Sequence, residues 1–144
     1  MSNWLFRANP TQFRIHDFIR DYKFVEYLQK KKVQVGDIVY LYITDKAKRV
    51  EYKMVVEKTN ISSRDAFNDT PYSLINKATT SKDSDKVVRF KLISERVENN
   101  DLCYKKLCEH GFHYTMQNDR ELPDETAAYI DSYFKLLLSD KNRN

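Results

Sequence analysis

The segment Ile38-Val39-Tyr40-Leu41-Tyr42-Ile43 constrains the fold most, because every position in it is apolar or aromatic. A strand with no polar face has to be covered on both sides, so it belongs in the middle of a sheet. Gly36-Asp37 turns the chain into it, and the polar connection Thr44-Asp45-Lys46-Ala47-Lys48 leads into a second extended stretch near 49–58. There Val50, Tyr52, Met54 and Val56 share one face, and Glu51, Lys53, Val55 and Glu57 the other, the two-residue period of a strand. An aromatic strand over 3–8 is closed by Asn9-Pro10, since proline excludes helix from the residue before it. Val87–Ile93 alternates Val88, Phe90 and Leu92 against Arg89 and Lys91. The expectation is one sheet with strands near 3–8, 37–44, 49–58 and 87–96.

Helical spacing appears elsewhere. Phe13, Ile15, Phe18 and Ile19 favour a helix from Thr11 to about Tyr22, while Phe24–Leu28 reads equally as a short helix or an extended piece. Asp101–Cys108 places Leu102, Tyr104 and Leu107 for burial. Asp124-Glu125-Thr126 opens a helix to about Ser139, with Ala127, Ile130, Tyr133, Phe134 and Leu137 inward. The order is β-α-β-β-β-α-α. With 144 residues this is one domain over 1–140, followed by a frayed tail at 141–144. Two glycines and three prolines leave tight turns to Asn, Asp and Ser. The polar stretch 59–86 is long for a connection inside a compact domain, which marks it as functional or disordered. Ala66-Phe67 and Pro71-Tyr72-Ser73-Leu74-Ile75 within it argue that part is tied down.

The charge is uneven. Residues 1–60 hold 12 Lys/Arg against 7 Asp/Glu, and residues 61–144 hold 13 against 14, so the excess sits wholly in the first part. Lys30, Lys31 and Lys32, with Lys46, Lys48 and Arg49 at the connection after the central strand, are the candidates for one phosphate-binding surface. The chain opens without a basic leader and apolar run, and no apolar stretch approaches the ~20 residues of a membrane span. A cytoplasmic protein with no membrane partner is expected.

Enzymatic signatures are sparse. Two glycines cannot build a G-x-G-x-x-G turn or a P-loop, and no G-x-S-x-G is present. Cys103-x4-Cys108-x-His110-x2-His113 lacks a paired C-x2-C knuckle, so core thiols are favoured over a metal site, and no metal or cofactor is expected. Asp37 followed by Glu51-Tyr52-Lys53 imitates the carboxylate and lysine set of a small metal-dependent nuclease, a less favoured reading that rests on spacing alone. Aromatics make up 13% of the chain and are interleaved with polar and basic residues, which suits stacking on bases as well as core packing.

Read together, Trp4-Leu5-Phe6-x-Ala8-Asn9-Pro10, Val35-Gly36-Asp37-Ile38-Val39-Tyr40-Leu41-Tyr42 and Val50-x-Tyr52-Lys53-x-Val55-Val56 resemble the start of the EVE domain, a PUA-like family related to the YTH readers of methylated RNA. The later order continues the resemblance through Val88-Arg89-Phe90-Lys91-Leu92, Tyr114-x-Met116-Gln117-x-x-Arg120 and a terminal helix. It implies an α+β fold, a strongly curved or closed β-barrel flanked by helices. It also implies a non-catalytic module that flips a modified base, methylated or hydroxymethylated, into an aromatic cage. DNA is favoured over RNA, the alternative being an RNA-binding module in RNA modification or decay. A restriction or defence enzyme is a possible partner by family analogy. By position, the resemblance points to Trp4, Asn9, Tyr27, Phe67, Tyr72, Gln117 and Arg120 as ligand-binding residues. Tyr27 stands where many relatives carry tryptophan.

Overall fold

The computed structural model describes residues 1–68, 70–74 and 85–135. The expected tail at 141–144, the expected helix beyond 135 and most of the polar stretch after Leu74 lie outside the described residues. Six strands form one sheet: β1 (Asn3–Ala8), β2 (Phe24–Leu28), β3 (Ile38–Ile43), β4 (Arg49–Ser62), β5 (Lys86–Leu92) and β6 (Arg120–Glu121). Their order is β2-β5-β4-β3-β1-β6, with β1 parallel to β3 and the other neighbours antiparallel. The wholly apolar β3 lies between β4 and β1, as its composition demands.

Alternation along the strands builds two cores. Trp4, Phe6 and Ala8 pair in register with Val39, Leu41 and Ile43, and all six point to the concave face. That face is filled by Ile15, Phe18 and Ile19 of helix α1 (Ile15–Tyr22). Leu5, Tyr40 and Tyr42 point the other way, onto helices α2 (Tyr104–Cys108) and α3 (Asp124–Asp131) through Leu107, Ala127 and Ile130. The sheet is strongly curved. Although β1 and β2 stand four places apart in the strand order, the Phe6 and Tyr27 ring centroids are 5.5 Å apart and the Tyr27 hydroxyl donates to the Arg7 carbonyl at 3.1 Å. No backbone pairing joins β1 to β2 among the described residues, so the sheet is not closed.

Several boundaries differ from the expected ones for local reasons. The chain turns over 10–12, with Gln12 and Phe13 N–H donating to the Asn9 carbonyl, and Phe13 bridges to Ser73, so α1 begins at Ile15 rather than near Thr11. The ambiguous piece Phe24–Leu28 is a strand because β5 pairs it along its whole length. The expected helix over 101–108 is divided into a 3-10 turn at Asn100–Leu102 and α2. α3 ends at Asp131, where Tyr133 and Phe134 N–H bond three residues back and tighten the last turn. β4 runs on to Ser62 by absorbing irregularities between Val56 and Ile61.

The face assignment in β4 also changes at one residue. Leu41 pairs with Tyr52 and Tyr42 with Val50, which leaves Glu51 as the extra residue of a bulge. Val50 therefore joins the second core instead of sharing a face with Tyr52, Met54 and Val56. Turns expected from Asn, Asp and Ser fall largely to lysine: the left-handed non-glycine positions are Lys23, Lys46, Lys48 and Asn60. No helix among the described residues is long and apolar enough to cross a membrane.

Candidate nucleic-acid interface

Between β1 and β2, where curvature brings the strands together without pairing them, lies a groove of about 330 Å³. Phe6, Phe13, Phe18 and Tyr27 supply its aromatic surface. Asn9 and Gln12 stand at one end, Lys30 and Lys31 at the other, and Arg7, Glu26 and Asp119 supply polar groups along it. Strand alternation explains the aromatics, since Phe6 and Tyr27 both face the concave side and α1 lays Phe18 across it. Tyr27 is half-buried, with its ring against Phe6 and Phe90. Burial, and secondarily the Asp119 charge, pushes its hydroxyl well above the usual phenol range, so it stays protonated and donates to Arg7.

Of the residues that the resemblance indicates, Asn9 and Tyr27 line this groove. Asn9 is locally tied, its side-chain oxygen accepting from the Thr11 N–H at 2.9 Å and the Thr11 hydroxyl at 2.6 Å. Trp4 is buried, and its indole N–H donates to Asp37 at 3.0 Å. It lines a neighbouring hollow with Lys30, Lys31 and Lys32, not the groove itself. Phe67 and Tyr72 pack on α1 against Phe18 and Tyr22, in a cluster that fastens the loop after β4. The structure does not bring these two to the groove. Gln117 is exposed in the segment before β6, and the Arg120 guanidinium lies over the Tyr114 ring at 3.2 Å from its centroid.

The basic residues divide between the two ends of the sheet. β3 and β1 run in the same direction, so the 44–48 connection lies beyond the Ala8 end of β1. β2 runs opposite, and carries Lys30, Lys31 and Lys32 back to the Ser2 end. Six strand residues separate those ends by about 20 Å. Of the residues expected to form one positive surface, Lys30 and Lys31 border the groove and Lys32 its neighbouring hollow, whereas Lys46 and Lys48 stand at the other end of the sheet. Arg49 turns inward, donating to Glu51 at 2.8 Å and to the Asn100 side chain at 2.7 Å. The side chains of Lys30, Lys31 and Lys32 form no ion pair or hydrogen bond among the described residues.

The carboxylates of the nuclease-like pattern are separated and engaged elsewhere. Asp37 is buried; burial pushes its carboxyl upward, but N–H donors from Ser2, Gln34 and the Trp4 indole outweigh that and hold it below the usual carboxylate range. Glu51, fully buried at the bulge, accepts from Arg49 and Arg96. Lys53 pairs with Asp131 beneath α3. Asp37 precedes the strand pair Ile38–Val55, while Glu51 sits at its far end beside Tyr42, so the pattern does not converge on one point. Among the described residues no group of His, Cys, Asp and Glu is arranged to hold a metal ion. Cys103 and Cys108 are half-buried free thiols, and His110 stacks on Tyr129 with centroids 3.7 Å apart.

Sequence reasoning overlooked Phe6, Phe13, Gln12, Glu26 and Asp119 as groove residues. Phe6 was accessible through its parity with Trp4 and Ala8. Asp119 carries no local signal, because it reaches the groove through a contact with Arg7 made 112 positions away in the chain.

No family model matches the chain. No curated protein matches it significantly in sequence. Solved structures match over nearly the whole chain at low identity. A hypothetical protein from Leishmania major has a TM-score of 0.62 and 19% identity, covering 92% of this chain and 93% of its own. ASCH from Zymomonas mobilis has a TM-score of 0.59 and 12% identity, covering 93% and 96% respectively. Human THYN1, solved in complex with 5-methylcytosine-containing DNA, has a TM-score of 0.58 and 12% identity, covering 92% and 96%. These likenesses, with the strand order and the helices on both faces of the curved sheet, establish an α+β fold of PUA-like type.

Proposed function

We propose that this protein is a non-catalytic nucleic-acid-binding module that receives an extruded, modified base of DNA in the groove between β1 and β2. The observation that carries this reading is an aromatic-walled groove with the unpaired ammonium groups of Lys30 and Lys31 at its rim. An extruded base needs ring surface for stacking, worth ~1–3 kcal/mol per base, to offset the few kcal/mol that unpairing costs. Phe13 and Tyr27 offer that surface, and a methyl or hydroxymethyl group adds apolar contact with the same walls. The two lysines neutralise flanking phosphates, which supplies affinity without sequence preference. The likeness to human THYN1, solved with 5-methylcytosine-containing DNA, supports DNA over RNA as the partner.

The test is equilibrium binding to matched DNA and RNA oligonucleotides carrying 5-methylcytosine, 5-hydroxymethylcytosine, N6-methyladenine or plain bases. A modified DNA is expected to bind best. The double variant Lys30→Gln/Lys31→Gln should weaken binding to all sequences alike and reduce the salt slope by about two. Tyr27→Ala should remove the preference for the modified base while the fraction still folded keeps its salt-dependent binding. Failure to bind any oligonucleotide at low salt would end this reading.

A further inference from the structure

Apart from Lys30 and Lys31 at the rim, most polar groups of the groove are already committed among the described residues. Glu26 uses both oxygens, accepting from the Phe67 N–H at 2.7 Å and from Arg89 at 2.8 Å. The Asn9 oxygen is held by Thr11, and Arg7 turns its side-chain donors to Asp119 and to the Met116 carbonyl. Gln12 is exposed and able to present either an acceptor or a donor. Asp119 is different. Its Oδ1 accepts from the Arg7 N–H at 2.8 Å and Arg7 Nε at 3.3 Å, which fixes the carboxylate to the end of β1, while Oδ2 accepts no hydrogen bond among the described residues. Its side chain is 23% exposed, so the open oxygen is partly sheltered and still reachable. A carboxylate repels phosphate, and in a nucleic-acid groove it lowers affinity unless it meets a donor.

We infer that Asp119 is the specificity-determining acceptor of this groove, and that it selects cytosine or adenine and their modified forms, whose exocyclic amine stands where uracil, thymine and hypoxanthine carry a keto oxygen. Resting on the base-binding reading above, the inference adds the sign of the hydrogen bond at the pocket wall. An amine N–H donates to Oδ2, as cytosine N4 does to carboxylates. A keto oxygen in the same position faces a second acceptor. A single hydrogen bond to a charged group is worth ~1.5–3 kcal/mol, or roughly 10- to 150-fold in affinity.

Matched oligonucleotides that differ only in one base opposite an abasic site isolate this effect, since the base is already unpaired. The pairs are cytosine with uracil, 5-methylcytosine with thymine, and adenine with hypoxanthine. The amine member of at least one pair is expected to bind tenfold or more tightly than its keto partner. In Asp119→Asn the amide oxygen stays on the Arg7 N–H and the amide N–H2 takes the Oδ2 position, so the preference in that pair should invert toward the keto base. Equal affinity within every pair for the wild-type protein overturns the inference, whether or not the variant folds, and leaves base binding itself intact. An Asp119→Asn protein that keeps the amine preference also overturns it. Loss of binding to every probe, including an abasic control, refutes the nucleic-acid reading instead.

Discussion

Asp37 is the residue whose replacement tests the architecture of the groove's lysine-bearing end most directly. Its Oδ2 accepts from the Trp4 indole at 3.0 Å and the Gln34 N–H at 2.9 Å, and its Oδ1 accepts from the Ser2 N–H at 2.9 Å. In Asp37→Asn the amide oxygen can occupy only one of those positions. Placed at Oδ2 it keeps two donors and turns N–H2 against the Ser2 N–H, losing one charge-assisted bond worth ~1.5–3 kcal/mol. The two retained bonds fall from charged to neutral, roughly halving each. Ser2 sits near the start of the chain and can turn to water, which puts its loss at the low end. The sum is about 3 kcal/mol, or a fall in Tm of about 10 °C for a domain of this size. The pH dependence follows from the lowered folded value. Stability from Asp37 is fully present above the ordinary carboxyl value of 3.8 and is lost as pH falls through the lower folded value. Urea titrations of both proteins from about pH 7 down to about pH 3 should therefore show a gap that narrows at the acid end. A gap below about 1 kcal/mol at neutral pH, or one that stays constant with pH, would refute the claim that these three donors depend on the charge.

Glu51 carries a comparable load within the sheet. Glu51→Ala leaves Arg49 and Arg96 without their shared partner, but their side chains are 18% and 38% exposed and can rehydrate, so the cost should be near ~3 kcal/mol, the low end for a broken buried pair. A double-mutant cycle with Arg96→Met by urea denaturation should give a coupling above about 0.5 kcal/mol; strict additivity would show that the bulge, not the ion pair, sets the stability. Lys23 closes α1 at φ 64°, a left-handed geometry that glycine adopts without penalty. Lys23→Gly should raise stability by about 1 kcal/mol, and a loss of stability would mean that the Lys23 side chain, which donates to the Arg20 carbonyl, outweighs the backbone.

The sheet was legible in the sequence wherever alternation or full apolarity fixed a strand's place. β1 and β3 match the expected segments closely and β5 begins within one residue of its own but ends at Leu92 rather than near 96; each buries one or both faces. Glu51 defeated the pattern. Two-residue alternation placed it on one face with Lys53, Val55 and Glu57, whereas a bulge inserts it and two arginines make its burial tolerable. β2 was undecidable locally, since Phe24–Leu28 becomes extended only through its pairing with β5. The site was less legible than the sheet. Tyr27 and Asn9 were found through a resemblance to a family motif, and Lys30 and Lys31 through charge. The separation of Lys46 and Lys48 from them follows from strand direction, a property of the topology that composition does not carry.

The same topology explains why the open seam is where a ligand can enter. β1 and β2 are the two strands joined through α1, and the curl of the sheet brings them close. Full closure would satisfy the free edge of β2 and the part of β1 that β6 leaves unpaired with backbone hydrogen bonds, and fill the space with a ladder. Instead, the described contacts bridge the seam through a side chain: the Tyr27 hydroxyl on the Arg7 carbonyl, with the ring edge-on to Phe6. Tyr27 is thus both a fastening of the curved sheet across its seam and part of the groove wall, and the two roles separate chemically. Tyr27→Phe removes the hydroxyl and leaves the ring, so it should loosen the seam by about 1 kcal/mol while stacking surface is retained. A ligand that stacks on the ring holds β1 and β2 together from the same side. Binding and closure of the seam should therefore be linked: loosening the seam lowers the fraction of protein competent to bind, so the Phe variant should gain less thermal stability from a bound base than the wild type does.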